Sequence, residues 1–147
     1  MYEEKILVID YGSQYTQLIA RRIRENKAYC EVLKPESLNN LKTYKNIIGV
    51  ILSGGPNSVS KDNQYDLPDI LFEKCIPVLG ICFGMQLICK KFNGEVKEST
   101  SREYGKSNLD IIQNNKIFEG LENSIEVWMS HGDSVIKCPT NFSILAT

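Results

Sequence analysis

Residues 79–86 read Leu-Gly-Ile-Cys-Phe-Gly-Met-Gln, and the organisation of the chain can be read outward from them. They follow an apolar run, Ile76-Pro77-Val78-Leu79, and lead into a helix-like stretch from Met85 to Phe92. At the centre is Gly80-x-Cys82-x-Gly84, the cysteine form of a nucleophile elbow, a strand-to-helix turn that exposes one side chain at the end of a sheet. Glycines suit the flanks because the turn is tight and a substrate carbonyl must approach the backbone. The following helix aims its positive end at the sulfur and favours the thiolate, the reactive form. A free cysteine in an apolar strand is more often a small buried hydrophobe. The flanking glycines favour the reactive reading for Cys82. Cys30, Cys75, Cys89 and Cys138 lack that context and read as core or surface filler.

On either side of the elbow, short apolar runs alternate with amphipathic ones. Lys5–Asp10, Tyr29–Leu33, Asn46–Ser53 and Ile76–Cys82 read as strands, with Gln14–Glu25 and Leu67–Lys74 as helices and a polar loop over 57–66. Continuous rather than alternating apolar runs suit a parallel sheet covered on both faces. The alternation predicts an α/β, doubly wound, flavodoxin-like domain. After Asn93-Gly94 the pattern changes to short segments near 94–98, 108–112, 125–129 and 134–137. These are expected to be hairpin strands, an antiparallel extension of the sheet. Phe142–Thr147 begins another strand-like run, so the fold is expected to be C-terminally incomplete over a single domain, 1–147.

The 147 residues suffice for one domain with a core, and 42% hydrophobic with 24% charged residues is ordinary for a soluble protein. A net charge of −1 gives no electrostatic argument for nucleic acid or an anionic membrane. Arg21, Arg22 and Arg24 read as the solvated face of a helix whose Leu18, Ile19 and Ile23 face inward. Five cysteines without a CxxC pair, and an N-terminus lacking an apolar signal region, point to a reducing cytoplasm. No apolar run is long enough to cross a bilayer. The lone histidine has no metal-ligand spacing to any cysteine, so no metal is expected.

Three further segments carry possible chemistry. Ile51-Leu-Ser-Gly-Gly-Pro56 ends a strand in bare amides at the sheet edge where ligands bind. It is either a tight turn or half of an oxyanion hole, with the amides of Gly55 and Phe83 as donors. Val127-Trp-Met-Ser-His-Gly-Asp133 holds His131, the only histidine, as a candidate base for Cys82 or a turn residue. The turn reading is favoured, with Gly132 bending the segment and no carboxylate two residues on along a strand to orient the ring. Asp10-Tyr-Gly-Ser-Gln-Tyr-Thr-Gln17 could cradle a phosphate, but it lacks the glycine spacing and lysine of nucleotide loops.

LGICFGMQ resembles the nucleophile motif of class I glutamine amidotransferases, and ILSGGP resembles their oxyanion loop. ILVIDYGSQYTQLIARRIRE, REYG at 102–105 and VWMSHGD are similar to the glutaminase domains of the GMP synthase family. The likeness runs from Lys5 to about Lys137. It implies Cys82 as the nucleophile that attacks the glutamine amide, with Gly55 and Phe83 as oxyanion donors. It also implies that Gln86 and Ser130, His131, Gly132 and Asp133 hold the substrate, with His131 serving binding rather than proton transfer. The family's catalytic histidine and glutamate belong to a His-Pro-Glu motif that these residues do not contain.

The resemblance further implies a downstream ATP pyrophosphatase domain that uses ATP and Mg2+ to adenylylate XMP, which ammonia converts to GMP, in a homodimeric cytoplasmic enzyme. Two alternatives stand beside it. One is the glutaminase of anthranilate or carbamoyl phosphate synthesis, against which the GSQYTQ segment argues. The other is a non-catalytic flavodoxin-like binding module that keeps the elbow as a structural turn.

Overall fold

Alternate side chains of the strand Lys5–Ile9 (β1) enter two different cores. Leu7 and Ile9 join the larger cluster with Val50, Leu52, Phe83 and Leu87, while Val8 packs with Ala20 and Cys30 on the opposite face. Such two-sided burial is what a strand without polar alternation requires. The computed structural model describes residues 4–59, 65–73 and 75–147, with side chains for all of them except 99–104 and 130–131.

The helix Thr16–Glu25 (α1) follows, then the strand Cys30–Leu33 (β2), 3-10 turns over Pro35–Thr43, and the strand Ile47–Leu52 (β3). Next come the short helix Ile70–Glu73 (α2), the strand Val78–Gly80 (β4) and the helix Phe83–Lys91 (α3). The four strands pair in parallel in the order β2-β1-β3-β4. α1 packs on the Val8 face, and α3 covers the Leu7 face. This is the expected doubly wound α/β arrangement, and its strand order reverses direction between β1 and β3.

Several local expectations are corrected. β4 is shorter than Ile76–Cys82, because Pro77 has no N–H for the ladder and Cys82 turns out of the extended region. α3 begins at Phe83, two residues before the apolar pattern does. The helix expected over Leu67–Lys74 is only Ile70–Glu73, set off by Pro68 and Asp69, whose carbonyls accept the first amides. Lys74, and residues 60–64 of the polar loop, lie outside the described residues. Leu18 is 44% exposed, since the buried stripe of α1 runs through positions 16, 19, 20 and 23.

The antiparallel part is a separate two-stranded sheet, not an extension of the parallel one. The four short segments are parts of two long strands, Glu95–Asp110 (β5) and Ser124–Lys137 (β6). The polar residues between the apolar segments hid this continuity. A two-stranded ribbon closes its ladder through backbone groups alone and needs no sustained apolar period. The run Phe142–Thr147 is not a strand. It lies along the far end of the hairpin through one bridge, Ile111 to Ala146. No helix among the described residues is long and apolar enough to cross a membrane.

Candidate functional site

Three loops meet at the carboxyl ends of adjacent strands, the edge where open α/β sheets bind ligands. One follows β1 (Asp10–Tyr15), one follows β3 (Ser53–Ser58), and the third is the elbow after β4. Cys82 stands at the turn with φ +49° and ψ −108°, a backbone region that non-glycine residues rarely occupy. Strain of this kind persists only where the surroundings hold it, and it concentrates at functional positions.

Here the surroundings are explicit. The Gly84 amide donates to the carbonyls of Ser53 (3.1 Å) and Ile81 (3.0 Å), and the Ile81 amide donates to Leu52 (3.0 Å). The start of α3 is thereby tied to the end of β3. The glycines at 80 and 84 serve this packing rather than substrate approach. A Cβ on Gly80 would lie 2.6 Å from the Met85 nitrogen, and one on Gly84 would collide with the Leu52 carbonyl oxygen.

Ser53 joins two of the loops. It is fully buried, its Oγ accepts from the Tyr11 amide (3.0 Å) and donates to the Gly54 carbonyl (2.8 Å), and its own amide donates to Ile9 (3.0 Å). Gly55 has no room for a side chain, since a Cβ there would sit 2.6 Å from the Tyr11 carbonyl oxygen. Among the described residues, neither the Gly55 amide nor the Phe83 amide has a protein acceptor. Phe83 is the first residue of α3, where helix amides lack intrahelical partners. Both donors expected for an oxyanion hole are thus available.

Below them, Tyr11, Tyr65 and Phe83 pack edge to face with centroids 5.2, 5.4 and 6.0 Å apart. Burial, reinforced by Tyr65, holds the Tyr11 phenol neutral far above the usual range. No local pattern marked this aromatic cluster, because its members lie on three different segments.

The elbow leaves Cys82 exposed as a residue, while its sulfur is partly desolvated. Burial pushes the Cys82 thiol up from its ordinary value, against the pull of the helix N-terminus. Cys82 rests as a thiol at neutral pH and needs a base. Its alkylation by iodoacetamide should therefore climb about tenfold per pH unit through neutrality. The midpoint should lie above that of a cysteine in an unstructured peptide. A midpoint below it, followed by peptide mapping across a pH series, would show the thiolate to be stabilised instead.

Gln86 and the 130–133 segment are brought together. The buried Gln86 donates from Nε2 to the Asp133 carbonyl (2.9 Å), fastening α3 to β6. The Asp133 carboxylate accepts from Ser58 (2.7 Å), linking β6 to the loop after β3. Ser130, His131, Gly132 and Asp133 lie within β6, so the turn reading is corrected. The irregularity falls on the partner strand, where register is lost between Glu98 and Glu103. Gly132 does not serve a bend, and a Cβ there would meet open space. Since the segment is a strand, Asp133 does stand two residues beyond His131 along it. The side chains of Ser130 and His131 lie outside the described residues.

In the 10–17 segment, Asp10 Oδ1 accepts from the Gly12 amide (2.9 Å) and the Thr16 hydroxyl (2.7 Å). A carboxylate already holds the position a phosphate would take. Among the described residues, no group of three His, Cys, Asp or Glu side chains could hold a metal.

A parallel sheet carries a cysteine elbow with two open amides beside it, and the chain belongs to the glutamine amidotransferase class-I family, whose model matches residues 7–147. Its relatives include the glutamine-hydrolysing GMP synthases of Natranaerobius thermophilus (49% identical over 146 residues) and Bacillus subtilis (49% over 148 residues). The matches cover 99% and 100% of this chain but only 28% and 29% of those proteins, so the chain spans under a third of their length.

Among solved structures, that of a GMP synthase subunit from Thermoplasma acidophilum superposes with a TM-score of 0.82 at 27% identity. The match covers 99% of this chain and 73% of that one. A glutamine amidotransferase of Thermotoga maritima shares the fold, with a TM-score of 0.75 at 21% identity over 100% of this chain and 68% of that one.

Proposed function

We propose that the chain is the glutaminase portion of a GMP synthase, and that Cys82 is its nucleophile. The observation that carries this reading is the positive-φ cysteine at the head of α3, beside two open backbone amides. The Cys82 thiolate attacks the carboxamide carbon of glutamine. A C–S bond forms, and the amides of Gly55 and Phe83 take the charge developing on oxygen. Collapse breaks the C–N bond, and the nitrogen leaves as ammonia after taking up the proton that the thiol lost. Water then hydrolyses the thioester to glutamate and restores the thiol. Removing one oxyanion donor typically costs ~10²–10³ in rate, so both amides matter.

In this reading Gln86 is anchored by one N–H on the Asp133 carbonyl and has a second N–H and its oxygen left for the substrate. The strand Ser130–Asp133 lines the substrate side. The base for Cys82 would come from the family's His-Pro-Glu motif, which these 147 residues do not contain. The ammonia would serve the amination of XMP by an ATP- and Mg2+-dependent pyrophosphatase domain of the same polypeptide, in a cytoplasmic homodimer. The under-one-third match to longer relatives supports a further domain on the same polypeptide.

Two measurements test the proposal. A glutamine chloroketone at limiting concentration should label Cys82 ahead of the other four cysteines, as read by peptide mapping. Glutamine turnover by the 147-residue chain should stay near background, because the base is missing. Label concentrated on Cys30, Cys75, Cys89 or Cys138 would reject the elbow. Turnover at ordinary enzyme rates would make His131, with Asp133 two residues on, the base.

A further inference from the structure

We propose that Ser13 is a substrate-binding residue of this site, its hydroxyl hydrogen-bonding the side-chain carboxamide of glutamine; this rests on the glutaminase reading above. Strand order reverses between β1 and β3, so the loops that follow them flank the crevice where open α/β sheets take ligands. Ser13 belongs to the first loop, Gly54 to the second, and Cys82 to the neighbouring elbow. Gly54 is the shared floor. A Cβ built on it would lie 3.6 Å from the Cys82 Cβ and 3.6 Å from the Ser13 Oγ, so its absence leaves a slot with the nucleophile on one wall and the Ser13 hydroxyl on the other.

The hydroxyl is held but not used up. Ser13 Oγ accepts from the Tyr15 amide (3.1 Å), and among the described residues its O–H has no acceptor. One donor and one remaining lone pair match the mixed character of a carboxamide. The loop also selects for a neutral group. Asp10 already holds the Gly12 amide and the Thr16 hydroxyl, so its negative charge faces any anion brought to this turn. A carboxamide suffers no such repulsion, whereas a carboxylate or phosphate does.

The test measures saturation of Cys82 labelling by the glutamine chloroketone in the 147-residue chain, with methyl methanethiosulfonate, a thiol reagent that carries no carboxamide, as the control probe. Ser13→Ala should raise the half-saturating chloroketone concentration about 5- to 10-fold, the size of one neutral hydrogen bond. The methanethiosulfonate rate at Cys82 should stay within about twofold. Ser13→Thr keeps the hydroxyl and should restore half-saturation to near the parent value.

Unchanged half-saturation in Ser13→Ala would overturn the inference. So would equal slowing by both reagents, which would mean that Ser13 only shapes the elbow. A parent chain that shows no saturation, while methyl methanethiosulfonate still modifies Cys82, would remove the glutaminase reading itself and this inference with it.

Discussion

Replacing Cys82 with glycine should abolish chloroketone labelling at the elbow and at the same time make the chain more stable. The cysteine holds φ +49°, where a Cβ crowds the backbone. Such a conformation costs of order 1–3 kcal/mol, and glycine occupies it freely. Part of that gain is lost to the greater entropy of an unfolded glycine, which leaves a net of about 1 kcal/mol. For a chain of this length the melting temperature should rise by roughly 2–4 °C.

Cys82→Ala supplies the contrast. It removes the sulfur but keeps the Cβ, so it should lose labelling without gaining stability. Thermal unfolding of the three proteins followed by circular dichroism separates the effects. A glycine variant that melts no higher than the alanine variant would show that the turn stores no strain. The expected pattern is a site whose exposure of one sulfur is maintained at the expense of the fold.

The largest loss of stability is expected from Gly84→Ala. The new methyl would strike the Leu52 carbonyl oxygen and come within 2.6 Å of the Leu52 Cβ, both in the interior strand β3. Neither is the end of a flexible side chain. Relief therefore requires α3 to move away from the sheet, stretching the Gly84 amide off the Ser53 carbonyl. Overpacking of this kind costs typically 1–3 kcal/mol, and the rigid neighbours place it at about 3.

Gly132→Ala is the matched control. A Cβ there meets nothing within 4 Å, and alanine in a strand lowers the entropy of the unfolded chain. Urea midpoints should fall clearly for Gly84→Ala and stay unchanged or rise slightly for Gly132→Ala. Equal midpoints would contradict the tight docking of α3 on β3.

The parallel sheet was legible because each buried strand carries an uninterrupted apolar run, as in Ile6–Ile9 and Ile47–Leu52. The elbow was legible because a turn that must bring helix and strand into contact can use little but glycine beside the cysteine. β5 and β6 were only half legible. Their middle residues, Ser99–Glu103 among them, are polar, and a two-stranded ribbon can close its ladder through backbone groups alone and leave no apolar period. The 130–133 segment reads as a turn because serine, histidine, glycine and aspartate are turn formers in isolation. Here the backbone of β5 draws them into a ladder, and the irregularity passes to the partner strand.

By itself, the sequence determined the family, the doubly wound sheet and the glycine-flanked cysteine turn at its edge. All of these depend on residues close in the chain, where sterics and period act locally. Only the tertiary structure decided how far the Cys82 sulfur is desolvated, that Gln86 reaches Asp133, and that Ser13 and Cys82 both border Gly54. Each of those is a relation between segments tens of residues apart. Burial and hydrogen bonding across such distances are set by how the elements pack, which no local pattern records.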